Sequence, residues 1–336
     1  MNAMTVQRVD PRELAVHSVP ESWPQLSADD VAAHAPDASF VSTHNEELRA
    51  RCSLWWTDVP PYGAERLGVI GHYGATSKSD GVAILQAAAS ELARHGCTFA
   101  VGPMDGNTWR RYRLVVERGT EPPFFLEPTN PDAWPDHYAA AGFTPLAHYF
   151  SALNADLTRK AERMSAVAAR LTDLGVTIRP IDLTQFDADL ERIYGVAEVA
   201  FREAFLYTPL PEQAFAMQYK RIRQFLRPEL VLLAEHDGRT VGFGFSTPDV
   251  LELARGGAPR TAILKTLAVM PDRTYAGLGS LLADRSHAAA AALGCDRVIH
   301  ALMHESNRSR NISAHTGVPL RRYALFGRSL GMTGFR

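Results

Sequence analysis

Two stretches far apart in this chain end alike: ARHGCTFAV, around Gly96 and Cys97, and AALGCDRVI, around Gly294 and Cys295. In each, an alanine-rich run stops at glycine and turns apolar, which reads as a helix, a glycine stop and a buried strand. The spacing also repeats, since Cys97 follows Gly81 by 97 − 81 = 16 residues and Cys295 follows Gly279 by 295 − 279 = 16. Each copy continues to a short helix, a glycine (Gly142, Gly317) and a last strand carrying a tyrosine (Tyr149, Tyr323). A repeat of this kind restricts the 336 residues to two copies of one unit mixing helices and strands. The first copy carries an insertion, because 142 − 97 = 45 while 317 − 295 = 22.

The copies diverge where one helix begins. Residues 263–280 read ILKTLAVMPDRTYAGLGS: a strand that ends at Pro271, a loop with Gly277 and Gly279, then the alanine- and leucine-rich helix that stops at Gly294. The first N–H groups of a helix lack internal partners, and its dipole favours negative charge there, so strand, glycine loop and helix make an anion cradle. A dinucleotide fingerprint would need a small residue at Leu282 and an acid at Arg297, and a phosphate loop of the Gly-Lys-Ser/Thr type is absent. A tight turn with no ligand is the plain alternative. The first copy has Ser79 where the second has Gly277.

Val-x-Pro, five residues and Gly-x-Gly resemble motif A of the GNAT superfamily of N-acetyltransferases. The resemblance covers residues 176–330 strongly and the first half weakly, and it implies an α/β fold with a mixed sheet: a tandem GNAT fold whose N-terminal copy is degenerate. Expected boundaries are 1–153 for that copy, 154–175 for a linking helix and 176–336 for the acetyl-CoA-binding copy. The resemblance assigns the main chain of Leu267, Ala268 and Val269 to the pantetheine arm. It assigns Arg273, Thr274, Tyr275, Ala276, Gly277, Leu278, Gly279 and Ser280 to the pyrophosphate. Thr274 stands where the family usually has Arg or Gln. Asn307 resembles the asparagine of motif B that touches the pantetheine, although Asn is also an ordinary helix cap.

The implied chemistry is direct attack of an amine on the thioester of acetyl-CoA, the co-substrate. A lysine-like amine has a pKa of about 10.4, so holding it neutral at pH 7 costs about 4.6 kcal/mol and some group must take its proton. Glu203 and Glu235 are the carboxylates considered, with a water chain as alternative, and each is also readable as a solvated surface charge. The family's usual tyrosine falls at Ala314. His315 and Tyr323 are the candidates for protonating the thiolate. A non-catalytic acyl-CoA-binding or regulatory protein is the rival reading.

A formal charge of −2 argues against nucleic acid and anionic membrane as partners. The three cysteines are widely spaced and suggest neither a disulfide framework nor structural zinc. His300 and His304 share a strand face without enough further ligands for a metal site. No apolar run approaches the ~18 residues of a membrane span, and no leader pattern opens the sequence. The expectation is a cytoplasmic protein acting on acetyl-CoA and an unidentified amine, with a homodimer left open.

In the insertion, Gly106 to Pro135, the aromatics Trp109, Tyr112, Phe124, Phe125 and Trp134 exceed what a connector needs, so this loop is expected to shape the acceptor site or cap an interface. Its basic cluster, Arg110, Arg111 and Arg113, reads as solvated.

Overall fold

The computed structural model describes residues 5–157, 163–306 and 317–331. The first half comprises β1 (Thr5–Val9), α1 (Ala28–His34), β2 (Ala38–His44), β3 (Glu47–Trp55), β4 (Leu67–Ala75), α2 (Lys78–Arg94), β5 (Phe99–Gly102), β6 (Leu114–Glu117), α3 (Trp134–Ala140) and β7 (Thr144–Asn154). After α4 (Arg163–Asp173), the second half comprises β8 (Thr177–Pro180), α5 (Phe186–Ala200), α6 (Glu212–Ile222), β9 (Val231–His236) and β10 (Arg239–Pro248). It continues with α7 (Leu251–Ala254), β11 (Thr261–Val269), α8 (Leu278–Ala292), β12 (Arg297–His304) and β13 (Val318–Ser329).

Local chemistry sets many of these bounds. Ser27 and Ser77 cap α1 and α2 by accepting from Asp30 N and Asp80 N. Asp237 and Gly238, at φ +49° and +71°, make the tight turn between β9 and β10. Helix α5 ends at Ala200, and α6 gives way at Ile222 to a 3₁₀ turn over Arg223–Phe225.

The strands of both halves join one sheet in the order β1-β2-β3-β4-β5-β13-β7-β12-β11-β10-β9-β8, with β6 paired beside β13. The two closing strands are exchanged. Strand β13, from the second half, pairs with β5 of the first, as Ser329↔Phe99 and Phe326↔Gly102. Strand β7, from the first half, pairs with β12 of the second, as Val298↔Asn154 and His304↔Tyr149. The two exchanged strands pair with each other from Val318↔Leu153 to Gly327↔Thr144. Each half therefore completes the other's sheet, and neither keeps a closed hydrogen-bond ladder alone.

Helix α2 covers the first half with a core that includes Ile84, Leu85, Ala88 and Leu92. In the second half α5 and α6 lie against one sheet face with Ile193, Val196, Phe215, Phe243 and Phe245. Helices α4 and α8 take the opposite face with Leu171, Leu278, Leu281 and Leu282. No described helix is long and apolar enough to cross a membrane.

Candidate functional site

Strands β11 and β12 run parallel only from Thr261↔Arg297 to Leu264↔His300. Beyond that they part. Residues 266–269 pair with β10 alone among the described residues, through Phe245↔Thr266 to Gly242↔Val269. The register shift between Phe245 and Ser246 leaves Lys265 as the extra residue of a bulge, a feature that turns the strand and re-aims a side chain. Strand β12 is drawn away by first-half groups. Its register against β7 breaks between His300 and Met303, Leu302 sits at φ +60°, Leu302 N donates to Ser151 Oγ at 3.1 Å, and Arg113 donates to Leu302 O at 3.1 Å.

The gap opens toward the glycine loop. Gly277 caps α8 at φ +85°, a conformation glycine adopts without strain, and among the described residues no side chain caps the helix start. A Cβ at Gly277 would lie 2.9 Å from Val167 Cγ1 of α4, so close packing also demands glycine. Asp272 accepts from Thr274 N at 2.8 Å and fixes a 3₁₀ turn over Arg273–Tyr275. From α4, Arg170 donates to the carbonyls of Thr274 (3.1 Å) and Ala276. A guanidinium thus reaches the loop from the linking helix, near the place where Thr274 supplies no charge. Leu278 is buried in the core, whereas Arg273, Thr274, Ala276 and Gly277 are exposed. Tyr275 turns to His236 Nδ1 at 3.0 Å.

The corresponding places in the first half are filled. Asp80, in the first turn of α2, accepts from Thr76 Oγ1 (2.8 Å) and Ser77 Oγ (2.6 Å), with Arg49 3.6 Å away, so a carboxylate holds the anion position. Strand β4 parts from β5 after Val69↔Val101, but the chain itself closes that gap: Met104 N donates to Ile70 O at 2.8 Å and His72 N to Asp105 Oδ1 at 2.6 Å. A Cβ on Gly71 would strike Met104 O at 2.2 Å.

His34, His72 and Asp105 offer three ligand atoms within 4.8 Å of one another. Those atoms are already engaged: His34 Nδ1 and His72 Nε2 share a hydrogen bond of 2.7 Å, and His72 Nδ1 meets Ser53 Oγ at 2.9 Å. Arg111 lies 3.6 Å from Asp105, and Arg110 donates to His34 O, so the surroundings disfavour an added cation.

The insertion lies against the second half. Trp109 donates to Thr208 O at 2.9 Å and packs edge-on to Phe201, Tyr207 and Phe215. Phe124 is buried with Ile263 of β11, Ile299 and Ala301 of β12 and Leu320 of β13. Phe125 N donates to Asp249 Oδ1 at 2.9 Å, and Leu126 O accepts from Lys265 Nζ at 3.0 Å. The basic cluster is not simply solvated: Arg113 is buried between the rings of Tyr112 and Tyr149, 3.8 and 4.0 Å from their centres. Cation–π attraction and its bond to Leu302 O offset its desolvation.

Tyr323 is fully buried. Its hydroxyl donates to Glu127 and lies 3.0 Å from Ser151 Oγ, while Arg321 pairs with the other Glu127 oxygen. Burial, and then Glu127, raise its pKa far above the ordinary phenol range. Glu203 is exposed on the turn after α5, and Glu235 is held by Arg179 at 2.8 Å, beside Asp189 at the β8–β9 edge. The structure does not bring these three together. His315 and Asn307 lie outside the described residues. His304 stacks edge-on against Tyr149, and His300 pairs with His287 at 2.7 Å, so the two histidines of β12 have separate surroundings.

Sequence reasoning missed the residue at the fork. Lys265 is the one charge in TAILKTLAV, and that interruption was the available signal. Burial, with Arg113 nearby and Glu127 opposing, pushes its pKa down from 10.5 to about 7.

Residues 191–315 match the model of the acetyltransferase (GNAT) family. A tandem GNAT protein from the clavulanic acid biosynthesis pathway shares the fold at a TM-score of 0.51 and 14% identity, over 99% of this chain and 100% of that one. This chain thus has the GNAT fold, and its residues 191–315 match the family's model. Its fold is the tandem form, with a degenerate first copy. A probable N-acyltransferase from Enterococcus faecalis superposes at a TM-score of 0.57 and 11% identity, over 98% of this chain and 74% of that one. By sequence the chain is 25% identical over 227 residues to the bacterial ceramide synthase of Caulobacter vibrioides, covering 65% of this chain and 58% of that protein. The chain thus spans little more than half the length of that relative.

Proposed function

We propose that this GNAT protein transfers an acyl group from acyl-CoA, acetyl-CoA included, to the amine of a small molecule or peptide. The observation that carries the reading is the uncapped start of α8 beside the parted edge of β11. One supplies N–H groups to a pyrophosphate, and the other supplies free main-chain groups to a pantetheine arm. Main-chain groups of Leu267, Ala268 and Val269 would orient the thioester, and an N–H of this edge would face the oxyanion of the tetrahedral intermediate. Gly277, Leu278, Gly279 and Ser280 would hold the phosphates through backbone, with Arg170 adding charge. The acyl group would then lie toward Lys265 and the insertion, where the buried Phe124 would help exclude water that competes with the amine.

The Caulobacter relative bears the name of a ceramide synthase, and a ceramide is an N-acylated amino alcohol. The test is therefore a thiol-release assay that crosses acetyl-CoA and long-chain acyl-CoA with a panel of amines including long-chain amino alcohols. CoA release that depends on both substrates, with the amide found by mass spectrometry, is expected. Tight acyl-CoA binding without release for any pair would leave an acyl-CoA-binding protein.

A further inference from the structure

We propose that the amino group of Lys265 accepts the proton of the incoming ammonium group in this acyl transfer, held in place by the insertion from the first half. The inference rests on the acyltransferase reading above and adds to it the group that makes the amine a nucleophile.

Position comes first. Lys265 is the bulge residue of β11, at the point where that strand leaves β12, so it sits at the inner end of the gap through which the thioester would enter. Its Nζ donates to Leu126 O at 3.0 Å, which fixes the nitrogen and leaves the lone pair of a neutral amine unused. Among the described residues, no carboxylate without other partners acts on Lys265. Glu127 lies close, yet both its oxygens are engaged by Tyr323 and Arg321, and it also accepts from Phe124 N at 3.3 Å.

Among the described residues, Arg113 and Glu127 are the charged groups that act on Lys265, and the groups that hold those two come from neighbouring elements. Arg113 and Glu127 belong to the insertion, Arg321 and Tyr323 to β13, Tyr149 to β7, and Tyr219 of α6 hydrogen-bonds the adjacent Thr266. Arg113 is fixed between two rings and repels a second cation, which agrees with the lowered pKa of Lys265. A lysine of this kind is half in the neutral form near pH 7, the condition in which an amine base works best.

The step balances without a further reactant. The acceptor ammonium gives one proton to Lys265 Nζ. The freed amine nitrogen attacks the thioester carbonyl carbon, a C–N bond forms, and the C–S bond breaks with its electron pair leaving on sulfur. The second nitrogen proton passes to the thiolate, and Lys265 returns its proton to water. The sum is ammonium plus thioester giving amide, thiol and one released proton.

The experiment compares the wild type, Lys265→Met and Lys265→Arg in the full chain, with two acceptors: an alkylamine, charged at pH 7, and an arylamine, already neutral. Wild-type kcat/KM for the alkylamine should rise with pH through about 7. Both variants should lose on the order of 10²-fold or more with the alkylamine at pH 7 and recover as the amine itself deprotonates. They should keep acyl-CoA affinity by calorimetry and stay within a few-fold of wild type with the arylamine. Equal losses with both acceptors would overturn the proposal, because a structural lysine does not distinguish them; so would wild-type rates in Lys265→Met. A wild type that turns over no amine overturns the acyltransferase reading and this inference with it, whereas turnover that ignores Lys265 overturns only the inference.

Discussion

A lysine held near neutrality inside the fold has a stability signature that needs no substrate. Lys265→Met keeps the length of the side chain and removes its charge. The pKa falls from 10.5 in the unfolded chain to about 7 in the folded one, a gap of 3.5 units, which at about 1.36 kcal/mol per unit is on the order of 5 kcal/mol. The folded state favours the neutral form, so stability is fully present above the unfolded value. It is lost as pH falls from 10.5 toward 7, where the unfolded chain binds a proton that the folded chain does not. The variant lacks this dependence. It should therefore be more stable than wild type near pH 7, by no more than that ceiling less about 1 kcal/mol for the lost bond to Leu126 O. Between pH 7 and 10 the advantage should shrink by about 1.4 kcal/mol per unit. Urea unfolding of both proteins at pH 6, 7, 8, 9 and 10 measures the difference directly, since other titrating groups cancel between them. Curves that stay parallel over this range would show that Lys265 titrates normally and would refute the reasoning.

Two further outcomes follow from the asymmetry of the halves. Calorimetry should find one acetyl-CoA per chain, because Asp80 and the Met104–Asp105 segment occupy the first half's loop and gap; a stoichiometry near two would contradict that. Gly279→Ala should bind acetyl-CoA as wild type does, since its Cβ meets Leu267 Cδ2 at 3.5 Å and Val269 Cγ2 at 3.8 Å, both ordinary van der Waals contacts, while Gly279→Asp, bringing a like charge to the phosphates, should weaken binding at least about tenfold, or 1.4 kcal/mol. Equal affinities for the two variants would remove the phosphates from this loop.

Local chemistry was legible in the sequence. The Gly-Cys junction depends on a few neighbouring residues, and its helix, glycine stop and strand appear in the structure where those residues predict them. The exchange of β7 and β13 was not legible. Both strands have the composition of a buried closing strand, and alternation along a strand says which face is inward but not which neighbour it pairs with. The burial of Arg113 escaped for a related reason. Three arginines in four residues look solvated, and only the approach of Tyr149, thirty-six positions on (149 − 113 = 36), makes a dry site for one of them. Glu127 and Arg321, 194 residues apart, form their pair inside the fold by the same long-range route.

The first half fills its own counterpart of the loop and gap yet supplies parts of the candidate site in the second half. Strand β7 gives β12 its only partner beyond the fork among the described residues, and Ser151, on that strand, bonds Leu302 N and so helps hold the fork open. Arg113 takes the other side of the same residue and also sets the charge environment of Lys265. Leu126 fixes the Lys265 nitrogen, and Phe124 packs with Ile263 of β11 and with Ile299 and Ala301 of β12. A first-half residue can thus matter to the candidate site as the glycine loop does, because Ser151 and Arg113 both bond Leu302 where β12 has left β11. The closed copy is a scaffold for the open one, and changes at its Asp80 end and at its Arg113 end should act on different properties: the fold of the first half in one case, the geometry of the candidate site in the other.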